Sequence, residues 1–158
     1  MTSGTKPDRA ARAIETAGKV LRDYGVNPEL HPNGAVTGID TTRRMDKIFH
    51  FELLGTDEGG VIGQLDDMAG YIPEAELEAA KERAARVSED PKCLENGERV
   101  MRIATTQLRL GNFKLAVIVK IQPEAGQEVV SEERFRNRFL LDAYSLFTRF
   151  ELLKALEE

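Results

Sequence analysis

Apolar residues recur along this chain at two spacings, one of three to four residues and one of two, and the switches between them divide it into elements. Ala10, Ile14, Ala17, Leu21 and Tyr24 fall at helical intervals. Thr5 and Asp8 stand at capping-box spacing around Pro7, and Gly25 ends the pattern, so the first element is a helix with a thin apolar stripe. After the turn signal HPNG, short strands are expected over 35–40, 47–54 and about 60–65. In the second of these, Phe49, Phe51 and Leu53 alternate with His50 and Glu52 and should face a core. The acidic stretch DDMAGYIP that follows reads as a loop.

Pro73 suits the first turn of a second helix ending near Ser88, with glutamates early and Arg83 and Arg86 late, in accord with the helix dipole. Leu77, Ala80, Ala84 and Val87 give it one narrow apolar edge, suited to lying close on a sheet. Beyond the loop EDPKCLENG, the segment 99–122 reads as a hairpin about a Gly111-Asn112 turn. That turn pairs Leu110 with Phe113, Leu108 with Leu115, Thr106 with Val117 and Ala104 with Val119 on one apolar face. It puts Arg109, Lys114, Gln107, Thr105 and Lys120 on the other, and the hairpin at the centre of the sheet.

The final helix, expected over about 131–157, has Ser131 as N-cap, Glu132 and Glu133 in its first turn, and Val130 and Phe135 spaced as a hydrophobic staple. At ~1.5 Å per residue it spans ~40 Å, about the diameter of a domain of this size. Phe135, Phe139, Ala143, Leu146, Phe147, Phe150 and Leu153 make one broad stripe to cover the hairpin. Leu141, Leu152 and Leu156 form a second, with Ser145 between them and Tyr144 at its flank. A surface helix needs only one stripe, so the second buries against this chain, a second copy or a different protein.

The inferred order, α-β-β-β-α-β-β-α, is an α+β fold in which helices pack on a mainly antiparallel sheet, and 158 residues suit a single domain over 1–158. Hydrophobic content of 41% and charged content of 31% exclude long-range disorder, and no apolar window is long enough to span a bilayer. No secretory signal is read at the start, and the lone Cys93 has no partner for an internal disulfide, which together suggest a reducing cytoplasm. A net charge of −5 with both signs interspersed gives no generic attraction to nucleic acid or anionic lipid.

This order resembles the fold of type III secretion chaperones and their YbjN-like relatives, with "LGNFKL" as a local echo of a glycine and an aromatic leading into a strand. The resemblance implies a small cytoplasmic protein, commonly dimeric, that binds another polypeptide. It carries over no residue-specific function, and the loop around SEDPKCLENGE departs from it.

No catalytic, cofactor or metal motif stands out, and no cofactor is assigned. His50 and Glu52 share a strand face, but the only other histidine, His31, sits in a turn. Cys93 has no histidine positioned by the sequence, DEGG and LGN lack phosphate-loop spacing, and Asp66-Asp67 reads as solvated. The reading is therefore a non-enzymatic polypeptide-binding or assembly protein, a homodimer in its simplest form, meeting its partner through Leu141, Tyr144, Leu152 and Leu156. Tyr71, in an exposed loop from Asp66 to Tyr71, is a further contact. Two alternatives stand beside it. One is a nucleic-acid-binding protein using Arg109, Lys114 and Lys120, with Arg43, Arg44 and Lys47 nearby, although no aromatic is interleaved to stack bases. The other is a small-molecule-binding protein or an enzyme without a recognisable motif.

Overall fold

The computed structural model describes residues 6–43, 47–108 and 111–157. Helix α1 (Lys6–Asp23) leads into a two-residue strand β1 (Glu29–Leu30), then β2 (Val36–Asp40), β3 (Phe49–Gly55) and β4 (Val61–Ile72). Helix α2 (Leu77–Val87), entered through a 3-10 turn, is followed by the small pair β5 (Leu94–Glu95) and β6 (Glu98–Arg99), then β7 (Met101–Gln107) and β8 (Phe113–Ile121). The last helix, α3, begins as an α-helix over Glu132–Phe135, winds as a π-helix over Arg136–Ala143 and returns to α over Tyr144–Glu157. The class is α+β, as the periodicities predict.

Six strands form one antiparallel sheet in the order β1-β2-β3-β4-β8-β7. All three helices lie on the face carrying Phe49, Phe51, Leu53, Val61, Leu65, Val117, Val119 and Ile121, and these side chains are buried. Among the described residues no helix lies on the opposite face, which leaves Ile39, Leu54 and Ile62 exposed. Helix α1 reaches β3 closely because Gly55 packs directly on the Ala10 carbonyl, where any Cβ would collide. Ala80, Ala84 and Val87 bury the narrow edge of α2, which packs against β7 and the end of α3.

The hairpin register differs from the expected one. Leu108 N–H bonds to the Asn112 carbonyl at 2.7 Å and Gly111 N–H to the Leu108 carbonyl at 3.0 Å, so Leu108 pairs with Asn112 where the two-residue turn would have set it against Leu115. Ile103 therefore faces Val117, Met101 faces Val119, and Thr106 faces Lys114. The shift is by three residues, an odd number, and it reverses the faces of β7: Met101 and Ile103 enter the core in place of Ala104 and Thr106. Burying a methionine and an isoleucine removes more apolar area from water than burying an alanine and a threonine. Leu110 and Arg109 lie outside the described residues. The hairpin is not the centre of the sheet either, since β7 is its edge strand and only β8 is interior.

A second correction concerns the acidic segment. Strand β4 runs through Asp66 and Asp67 to Ile72, with an irregularity between Asp66 and Tyr71, and both carboxylates are buried. Each has a cation to meet. Lys47 Nζ lies 3.1 Å from Asp67 Oδ2, and Lys114 Nζ lies 3.7 Å from Asp66 Oδ2. Paired in this way, carboxylates are tolerated inside a strand.

Candidate functional site

Helix α3 starts where its cap predicts, with Ser131 Oγ accepting the Arg134 N–H at 3.1 Å and Val130 and Phe135 both buried. Its apolar stripe packs on β3 as well as β8. Phe139 meets Phe51 edge-on at 6.1 Å between ring centres, and Phe147 meets Phe49 at 5.0 Å. Phe135 stacks on Phe139 at 5.2 Å.

The four residues expected on the second stripe divide. Leu141, Leu152 and Leu156 are 57%, 60% and 83% exposed, on the side of the helix away from the sheet. Tyr144 is not with them. It is buried, its ring edge-on to Phe139 at 6.0 Å and to Phe49 at 5.0 Å. With α-helical winding of about 100° per residue, Tyr144 would stand about 140° round from Phe139. The wider i→i+5 winding over Arg136–Ala143 turns the helix less per residue and brings residue 144 nearer to 139, onto the buried side.

Tyr144 inside needs a partner for its hydroxyl and finds Asp40, at the end of β2 and fully buried: the hydroxyl donates to Oδ2 at 2.6 Å. Thr42 donates to Oδ1 from its N–H at 2.8 Å and from its hydroxyl at 2.6 Å. Arg43 Nε lies 3.6 Å from Oδ2, and its guanidinium sits 4.6 Å over the Tyr144 ring. Burial pushes the Tyr144 phenol well up, and the Asp40 carboxylate adds to the shift. Lys47 ties the same segment to the helix, its Nζ lying 2.9 Å from Glu151.

Between this tether and α3 lies a groove of about 240 Å³. Phe49, Leu140 and Phe147 give it an apolar floor, Leu141 and Thr148 line its helix side, and Arg43 and Lys47 its other wall. Leu141 thus joins the exposed side of the helix to a concave surface. Tyr71 is 64% exposed, on a strand rather than a loop, and lines a separate cleft of about 100 Å³ with Arg83, Phe150 and Lys154. The structure does not bring it to the leucines.

The periodicity of the sequence missed the buried polar groups. On the open sheet face, Asp66 gathers Lys114, the His50 Nδ1 at 3.7 Å and the Gln64 Nε2 at 2.9 Å. The alternation of Gln64 and Asp66 with Val61, Gly63 and Leu65 was the available signal, since it continues the strand past 65. Nothing in the sequence pointed to Asp40. His31 Nε2 is engaged by Thr37 Oγ1 at 2.7 Å. Among the described residues no three His, Cys, Asp or Glu side chains come together as metal ligands, and no helix is long and apolar enough to cross a membrane. Cys93 is fully buried, and burial, with Asp90 nearby, raises its thiol pKa.

No family model matches this chain, and no curated protein sequence matches it. Among solved structures, the crystal structure of YbjN from E. coli, described as a candidate transcription regulator, aligns over 93% of this chain and 95% of its own with a TM-score of 0.57. The fold is YbjN-like. At 11% identity the likeness is one of fold alone.

Proposed function

We propose that this chain is a non-enzymatic polypeptide-binding or assembly protein, chaperone-like and cytoplasmic, that meets its partner through Leu141, Leu152 and Leu156 of α3 and is in its simplest form a two-fold homodimer. One observation carries the reading: three leucines stand exposed on a helix whose inner side is already filled by four phenylalanines and Tyr144. Exposed leucines on one helix side are an aggregation liability unless something covers them, and an isologous contact lets one patch serve both subunits. The groove beside Leu141 adds a recess for a partner side chain.

The description of YbjN raises nucleic acid as a second reading. On this chain two lysines of the open sheet face are engaged, Lys114 with Asp66 and Lys120 Nζ with Glu98 at 3.5 Å. Sedimentation velocity tests the preferred reading. The wild-type chain is expected to associate at micromolar concentration, and Leu152→Glu to remain folded and sediment as a monomer. A wild-type protein that stays monomeric at high micromolar concentration removes the homodimer.

A further inference from the structure

The free edge of the sheet offers a second interaction surface, independent of the leucines. Strand β7 pairs with β8 on one side only. Its outward direction is set by Ser88, whose Oγ accepts the Ile103 N–H at 3.0 Å and lies 3.0 Å from the Ile103 carbonyl. Ile103 thus turns its main-chain groups away from β8. By the two-residue alternation of an antiparallel ladder, Thr105 and Gln107 turn theirs the same way. Ser88 closes the edge at Ile103, whereas no main-chain hydrogen bond reaches the outward groups of Thr105 and Gln107 among the described residues. Unpaired donors and acceptors in such a row are a template for another strand.

Beside this stretch is a groove of about 360 Å³ between the Lys81 and Ala85 side of α2 and Ala104 and Thr105 of β7, with Arg99 and Arg102 also lining it. Its lining holds three cations and no carboxylate, in a chain whose net charge is −5. The neutralisation close by is slight. Arg99 spends one nitrogen on the Ser88 carbonyl, and Lys81 lies 3.5 Å from Glu78, with both side chains largely in water. Ala85 and Ala104 are small residues of its lining.

We infer that this groove takes an acidic segment of another polypeptide in extended conformation, added to the sheet beside β7. Main-chain bonds to Thr105 and Gln107 supply the pairing, and carboxylates on the incoming segment meet Lys81, Arg99 and Arg102. A second copy of this chain fits less well, because two-fold pairing of β7 with itself would set the same three cations against one another.

The test uses the full chain and two fluorescein-labelled peptides of equal length, one alternating Glu with Val and the other Lys with Val. The acidic peptide is expected to bind, more weakly as salt rises, and the basic one not to bind. Lys81→Glu combined with Arg102→Glu, both exposed positions, should weaken the acidic peptide about tenfold or more. In the wild-type chain, the acidic peptide should slow hydrogen exchange at the Thr105 and Gln107 amides. Leu152→Glu should leave peptide binding unchanged, so the fate of the leucine surface is read separately. Equal binding of both peptides, no effect of the double charge reversal, or unchanged exchange at the two amides would each overturn the inference. So would a wild-type dimer abolished by Thr105→Pro, which would assign the edge to a second copy.

Discussion

Tyr144 donates its hydroxyl to Oδ2 of Asp40 at 2.6 Å, joining the middle of α3 to the end of β2 inside the protein. Removing the hydroxyl in Tyr144→Phe leaves Asp40 with Thr42 and Arg43 but one charge-assisted bond short. A loss of about 1–2 kcal/mol is expected from urea unfolding, with the denaturant slope unchanged. A wild-type midpoint would show that the bond contributes nothing net.

The two sides of α3 should answer differently to the same charge. Phe139→Glu places a carboxylate among Phe51, Phe135 and Tyr144 and should cost several kcal/mol, roughly 3 or more. Leu152→Glu, at an exposed position, should stay within about 0.5 kcal/mol of wild type measured as a dilute monomer. Thermal melts of the two variants decide this, and similar melting temperatures would contradict the placement of the helix.

Two lysines of β8 offer a comparison within one strand. Lys114 and Asp66 each keep only 11% of their side-chain area in water, whereas Lys120 keeps 40% and its partner Glu98 keeps 63%. Lys114→Ala should cost about 1–3 kcal/mol by leaving Asp66 short of a cation, and Lys120→Ala close to nothing. Chemical denaturation at neutral pH checks the order, and the reverse order would place Asp66 in water.

Stability should fall in alkaline solution. Burial, with Asp90, raises the Cys93 thiol. Burial also raises the Tyr144 phenol, with Asp40 adding to it. For Lys47, burial pulls the ammonium down, but Glu151 and Asp67 outweigh it, so its pKa also ends raised. Each group holds its proton more tightly folded than unfolded. Its contribution is therefore whole below its unfolded pKa and is lost as pH rises through the folded one. With unfolded values of about 8.5 for Cys and about 10 for Tyr and Lys, the decline begins near pH ~8.5, and Cys93→Ala should remove its first part. Urea midpoints across this range measure it, and a midpoint flat from neutral to strongly alkaline pH would contradict the expectation.

How much was legible in advance follows from the kind of information each feature needs. The sequence by itself determined the element types and the core side of most of them, because both rest on local periodicity. Phe49, Phe51 and Leu53 alternate into the core, Ala80, Ala84 and Val87 bury the edge of α2, and Ser131 caps α3. It also marked Leu141, Leu152 and Leu156 as apolar residues outside the buried stripe, which is where they stand. Only the tertiary structure decided the rest. The β7 register depended on which residues close the hairpin, since several turns can join the same two strands and the pairing of Leu108 with Asn112 buries Met101 and Ile103. Asp66 and Asp67 read as solvent residues because their cations, Lys114 and Lys47, lie far along the chain. Tyr144 changed sides because a stretch of π winding rotated the helix beneath it, and its hydroxyl could enter the core only where Asp40, 104 positions away, was there to accept it.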